Sequence, residues 1–197
     1  DAVICRSAEV RLRGRHNLAN ILAACCLAGA AGASAPAMRR VATTFAGVEH
    51  RLEVVRERDG VLWVNDSIAT TPERTMAALA AFSQEGRGIV LLAGGRDKHL
   101  PWDACAAAIH AQARHVILFG EAAGLIHEAL IRHAREAHCA PAPIIRCADL
   151  PQAVAAAAQV AQPGDAVLLA PGGASFDAYS DFAARGMHFR ALVEALP

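Results

Sequence analysis

The sequence predicts an α/β protein: a mainly parallel, Rossmann-like sheet with helices on both faces, preceded by the helical end of a second α/β domain. Three observations lead there. From His50 onward, short apolar runs alternate with helical patterns. The runs are continuous rather than alternating in polarity, as strands buried on both faces are. Before residue 48 the pattern dissolves into two helical stretches and a ragged start. Over 197 residues the chain is 54% hydrophobic and only 19% charged, with Ala-rich helical segments, which suits a well-buried core rather than disorder.

The elements follow in order. Residues 1–12 alternate loosely (Val3, Cys5; Ala8, Val10, Leu12) and predict one or two strands. Gly14-Arg15-His16-Asn17-Leu18-Ala19-Asn20 opens a helix to about Gly32, with an apolar stripe of Ile21, Leu22, Cys25, Cys26 and Ala28. Pro36 starts a second helix that fades at Phe45-Ala46-Gly47. Two helices and ragged strands do not close a core, so residues 1–47 are expected to be the end of a larger domain and 48–197 a complete one. Arg51–Arg58 predicts a strand, Asp59-Gly60 a tight hairpin turn and Val61–Val64 the next strand. Helix 72–83, strand Ile89–Leu92, helix 101–112 and strand Val116–Phe119 come next. Helix 121–137, strand Ile144–Ile145, helix 149–161 and strand Ala166–Leu169 follow, and a helical region from Ser175 to Leu196 closes the chain.

Composition excludes several function classes. The formal net charge is zero, which gives no support for nucleic-acid or anionic-membrane binding. The longest apolar stretch, Ile21–Ala33, is too short to span a bilayer, and no leader pattern stands out, so a cytoplasmic location is expected. Six cysteines form no C-x-x-C pair and read as buried free thiols. Nine histidines form no H-E-x-x-H, and no metal site is expected in this chain.

Chemistry gathers at three turns that each follow a predicted strand. The first carries Asn65, Asp66, Ser67, Thr70 and Thr71 before Pro72 opens a helix. The second is Gly94-Gly95-Arg96-Asp97-Lys98, where paired glycines let a backbone approach a ligand and Lys98 can face a carboxylate or phosphate. The third is Pro171-Gly172-Gly173-Ala174-Ser175-Phe176-Asp177. Open α/β sheets bind ligands at the carboxyl ends of their strands, where free backbone N–H groups attract anions. Bland readings stand beside these: Thr70 with Glu73 matches a capping box, Ser175 can serve as an N-cap, and Phe176, Tyr179 and Phe182 can be core. Neither a G-x-G-x-x-G nor a G-x-x-x-x-G-K-[ST] loop occurs.

Five segments together resemble the Mur ligases of peptidoglycan synthesis. They are G-R-H-N-L-A-N at 14–20, G-V-E-H-R-L-E at 47–53, N-D-S-I-A-T-T-P at 65–72, G-G-R-D-K at 94–98, and L-L-A-P-G-G-A-S-F-D-A-Y at 168–179 followed by F-A-A-R-G at 182–186. They occur in the family's order and span nearly the whole chain. The resemblance implies the end of a central ATP-binding domain (1–47) and a C-terminal domain contacting glutamate and ATP (48–197). The implied reaction is ATP-dependent: the carboxylate of UDP-N-acetylmuramoyl-L-alanine is phosphorylated, the glutamate amine attacks the acyl phosphate, and phosphate leaves. By residue match Asn20 faces adenine, while Arg51 and Asp66 make cross-domain contacts to ATP, Asp66 at the ribose hydroxyls. Thr70, Lys98, Ser175, Phe176 and Phe182 form the glutamate pocket. The resemblance assigns no catalytic residue to this chain. It puts the phosphate loop, the Mg2+ ligands and the nucleotide-sugar pocket in sequence before it, so the chain alone is expected to be inactive. One position departs: many family members carry Lys where this chain has Ile68. Lys98 or Arg96 would then take more of the carboxylate.

Two rivals remain at this point. One is a non-catalytic Rossmann-like module that holds a nucleotide or a partner. The other is an amide ligase of the same superfamily that adds another amino acid or extends folate, against which the N-D-S-I-A-T-T-P turn argues.

Overall fold

Each apolar run that lacks internal alternation must bury both of its faces, and a sheet covered on two sides is the arrangement that allows it. A computed structural model describes residues 3–197, and the chain divides into two compact units, Asp1–Val48 and Glu49–Pro197.

The first unit holds helices α1 (Arg15–Ala30) and α2 (Ala35–Thr44). The strands expected within residues 1–12 are absent among the described residues; residues 1 and 2 lie outside them. Ser7–Glu9 is instead one turn of 3-10 helix. Glu9 reaches back to the Arg6 N–H at 2.8 Å and pairs with Arg39 of α2, while Arg39 also donates to the Ile4 carbonyl at 3.2 Å. Side-chain bonds thus take the place of a strand partner, and alternation without a partner does not make a sheet. Among the described residues of this unit only Asn17 and Ala42 are buried, while Leu22, Leu27, Val41 and Phe45 are exposed.

The second unit is a six-stranded sheet in the order β1-β2-β6-β3-β4-β5. β1 (Glu53–Arg58) and β2 (Val61–Asn65) form an antiparallel hairpin across Asp59 and Gly60. Both of these residues have positive φ, 50° and 75°, as a two-residue hairpin turn requires. β3 (Ile89–Gly94), β4 (Ala113–Phe119), β5 (Ile144–Arg146) and β6 (Ala166–Gly172) are parallel to one another and to β2. The mainly parallel α/β fold with helices on both faces is therefore the observed one.

Alternate strand residues serve opposite cores. Val64, Leu91, Val116, Leu118 and Leu168 pack with Leu79 and Phe82 of α3 (Pro72–Ser83), Ile109 of α4 (Asp103–Gln112) and Ile126 and Leu130 of α5 (Ala123–Glu136). Trp63, Val90, Leu92, Ile117 and Leu169 pack with Val154 of α6 (Leu150–Val160) and Phe189 and Val193 of α7 (Phe182–Glu194). From β3 the chain winds outward through β4 and β5, then α6 returns it across the other face so that β6 slots between β2 and β3. The reversal of winding lies between β3 and β6, the position where such sheets open a crevice for ligands.

Three local expectations change. The final helix begins at Phe182, not Ser175, because Asp181 caps it by accepting the Ala184 N–H at 2.7 Å; residues 175–181 form a loop. Thr71, not Thr70, is the N-cap position of α3, which frees Thr70. All six cysteines are free, but only Cys105 is buried. Among the described residues no helix is long and apolar enough to cross a membrane.

Candidate functional site

The three polar turns end β2, β3 and β6, which lie side by side in the sheet, so they line one edge together. The first is tied to β6 by backbone: Asp66 N–H donates to the Leu169 carbonyl and Gly172 N–H to the Ala69 carbonyl, both at 2.8 Å. The second and third pair with each other, Arg96 N–H to Ala174 O at 2.7 Å and Ala174 N–H to Arg96 O at 2.9 Å. Glycine makes that approach possible. Gly94 and Gly95 have φ of 153° and 94°, and a Cβ at either would collide with the Phe119 or Ala174 carbonyl oxygen.

Under the turns lies Arg185 of α7, fully buried. Its Nε donates to Ser67 Oγ at 3.0 Å and its Nη2 to Ser67 O at 2.9 Å. Nη1 and Nη2 both reach Gly173 O at 3.2 Å, and Nη1 reaches Ala174 O at 3.3 Å. One guanidinium thereby fastens the first turn to the third. Burial lowers its pKa to about 10, with the charge of Asp177 opposing. Its role was missed in the sequence, although a signal existed: Arg185 shares the four-residue spacing of Phe189 and Val193, the apolar stripe of α7.

Above that scaffold the predicted residues separate. Lys98 Nζ donates to Thr70 Oγ1 at 3.0 Å, joining the second turn to the first at the surface. Among the described residues no carboxylate pairs with Lys98. Arg96 differs: its guanidinium grips Glu121 in two bonds, at 3.0 and 3.1 Å. Ser175 is buried, and its carbonyl accepts from the amides of Ala178 and Tyr179. Phe176 and Phe182 are not core; they are 60% and 37% exposed beside it. The loop carrying Ser175 and Phe176 is pinned at its far end by Tyr179, whose hydroxyl meets His188 Nδ1 at 2.7 Å.

Asp66 and Arg51 form a second group. Asp66 is buried, with Oδ1 accepting the Leu52 N–H at 3.0 Å. Desolvation pushes its carboxyl pKa up to about 6, against the pull of that N–H and of the Arg51 and Arg74 charges. The segment before it is strained, since His50 and Leu52 have φ of 63° and 45°. It is held by Asp66, by Glu53 Oε2 accepting the His50 N–H at 2.9 Å, and by the Ile68 N–H on His50 O at 3.2 Å. Asn65 Nδ2 lies 3.0 Å from His50 Nδ1 and 3.2 Å from the Gly186 carbonyl beneath. Arg51 is thus presented outward from a turn held from below. A carboxylate this poorly solvated gains from hydroxyl donors such as a ribose diol, and an exposed guanidinium beside it suits a phosphate, so the pair fits a nucleotide.

Asn20 lies in the first unit, exposed on α1, with Nδ2 3.4 Å from Asn17 Oδ1. Among the described residues no group of three or more His, Cys, Asp or Glu could hold a metal ion.

Comparison with known proteins adds independent findings. Residues 50–173 match the family model described as Mur ligase, glutamate ligase domain. The UDP-N-acetylmuramoylalanine–D-glutamate ligase of Symbiobacterium thermophilum is 48% identical over 95% of this chain and 40% of its own length. The enzyme of the same name from a Roseiflexus species is 45% identical over 98% of this chain and 40% of its own. Among solved structures, a UDP-N-acetylmuramate-alanine ligase from Thermotoga maritima aligns over 94% of this chain and 39% of its own, with a TM-score of 0.68 at 17% identity. A bifunctional folylpolyglutamate synthase/dihydrofolate synthase from Yersinia pestis aligns over 89% of this chain and 39% of its own, with a TM-score of 0.65 at 20% identity. At such identities the structural likeness speaks to the fold. The chain spans about 40% of the length of the curated relatives it matches.

Proposed function

Since the chain belongs to the Mur ligase family through its glutamate ligase domain, we propose that it forms the amino-acid-receiving part of an ATP-dependent ligase joining glutamate to UDP-N-acetylmuramoyl-L-alanine. The names of its 45–48% identical relatives support this choice of substrate over other branches of the family. The observation that carries the reading is the Lys98–Thr70 contact, a cation and a hydroxyl from two of the three turns held 3.0 Å apart, with no acidic partner of Lys98 among the described residues. Such a pair answers a carboxylate.

In the proposed reaction ATP supplies the phosphoryl group that activates the muramoyl-alanine carboxylate, and ADP leaves. The glutamate amine then attacks the acyl carbon, forming the C–N bond as the acyl phosphate's C–O bond breaks; the amine gives up one proton and inorganic phosphate departs. Thr70, Lys98 and Ser175 hold the carboxylates of the incoming glutamate, and Phe176 and Phe182 shield its carbon chain. Asp66 takes the ribose hydroxyls, Arg51 the phosphates and Asn20 the adenine; Mg2+ and its ligands come from sequence outside this chain. Residues 1–47 belong to the ATP-binding domain and 48–197 to the C-terminal domain, and the enzyme works in the cytoplasm. The test is phosphate release by the protein in the full length of its relatives, with ATP, UDP-N-acetylmuramoyl-L-alanine and each candidate amino acid. Turnover with glutamate alone is expected; turnover with another amino acid, or none with glutamate, refutes the assignment.

A further inference from the structure

A glutamate poised to attack brings two carboxylates, and its deprotonated amine no longer offsets them. Leaving one of those charges unmatched opposes binding through the cost of desolvation. Lys98 supplies one cation. Of the arginines near the turns, Arg96 is held by Glu121 and Arg185 is buried with its donors on Ser67, Gly173 and Ala174. Arg51 belongs to the nucleotide group. Arg74 remains, its charge also acting on the buried Asp66 carboxylate without a hydrogen bond to it.

Arg74 stands exposed in the first turn of α3 and donates one hydrogen bond, Nη1 to the Ile68 carbonyl at 3.0 Å. Among the described residues no carboxylate forms a hydrogen bond or ion pair with it, and a guanidinium has four further N–H groups. The same Ile68 carbonyl accepts the Thr70 N–H at 2.9 Å, and the Thr70 hydroxyl accepts from Lys98. Guanidinium and ammonium therefore flank one short turn, linked through Ile68 and Thr70. Ile68 itself brings no charge to the turn. We propose that Arg74 is the second carboxylate-binding cation of the amino-acid site, a specificity residue for a dicarboxylate. This rests on the reading of the chain as part of a glutamate ligase. An arginine serves the purpose well because its planar fork can bind a carboxylate with two bonds while one N–H keeps the turn closed.

The test uses the ligase in the full length of its relatives, with steady-state constants for glutamate and ATP measured in Arg74→Gln, Lys98→Ala and Arg74→Gln with Ile68→Lys. Arg74→Gln is expected to raise the KM for glutamate about 10- to 150-fold, the cost of a lost charge-assisted contact, with the KM for ATP nearly unmoved. Adding Ile68→Lys, which returns a cation to the same turn, is expected to restore most of that loss. An unchanged glutamate KM in Arg74→Gln, beside a raised one in Lys98→Ala, overturns the role of Arg74 and leaves the glutamate reading standing. A loss that Ile68→Lys does not repair, accompanied by a lower Tm, assigns Arg74 to closing the turn and also overturns it. A larger rise in the ATP constant moves Arg74 to the nucleotide and does the same. Absence of glutamate-dependent turnover in the unsubstituted protein overturns the reading and the inference with it.

Discussion

Replacing Asp66 by Asn removes a charge from a place where the fold resists it. Asp66 is 5% exposed, and burial lifts its carboxyl pKa from 3.8 to about 6. Between those values the folded chain keeps a proton that the unfolded chain has lost. Stability therefore falls as pH rises through that window, and the loss is complete above about pH 6. At 1.36 kcal/mol per pH unit, the difference corresponds to ~3 kcal/mol. Asn retains an oxygen to accept the Leu52 N–H, so the strained turn stays held. Urea denaturation of both forms from pH 4 to pH 8 should show near-equal stability at the acid end. Toward neutrality the Asn form should be the more stable by up to ~3 kcal/mol, the remaining titrations cancelling in the comparison. Parallel curves, or an Asn form weaker at pH 7.5, would refute the account. A charge kept at such expense calls for a functional reason. If the proposed function holds, the same substitution in the protein at the full length of its relatives is expected to weaken ATP by about 1–3 kcal/mol, seen in the KM for ATP and not in that for glutamate.

Three further outcomes are expected. Arg185→Ala should destabilise the chain by ~3–5 kcal/mol in urea titration, because it strips donors from the buried Ser67 and Gly173 carbonyls; Arg185→Lys should recover little, as an ammonium lacks the fork. A change under about 1 kcal/mol in both variants would contradict the fastening role. Lys98→Ala in the full-length ligase should raise the KM for glutamate about 10- to 150-fold and leave that for ATP nearly fixed, and an unchanged glutamate constant counts against the site. Hydrogen exchange should find residues from His50 onward well protected and residues 3–47 weakly so, since only Asn17 and Ala42 are buried among them; equal protection would dispose of the boundary.

The sheet and its three turns were legible because continuous apolar runs and their closing glycines are local in sequence. What failed to read depended on distant partners. Val3–Leu12 has the alternation of a strand but no strand to pair with, and Glu9 bonding to Arg39 decides its shape. Ser175 and Asp181 are both good capping residues; the helix starts at the second because the first lies in the loop that joins Arg96 and Arg185 to β6. Arg96 reads as a free cation until the fold sets it on Glu121, 25 positions away. Arg185 looks like one more charge on a helix, and only its place in an apolar stripe hints that it is inside.

The position of β6 also dictates when the site can exist. The strand is made last, yet it occupies the gap between β2 and β3, so that Leu62 finds Ala166 about a hundred positions later. Until the ribosome has released that last fifth of the chain, β2 and β3 have no ladder between them, and each offers an open edge to any strand nearby. The crevice that would hold the amino acid is also the seam that closes last. A truncated product would lack more than the third turn and Arg185: it would retain two unsatisfied strand edges flanking an empty slot, a species marked for aggregation or proteolysis rather than for partial activity.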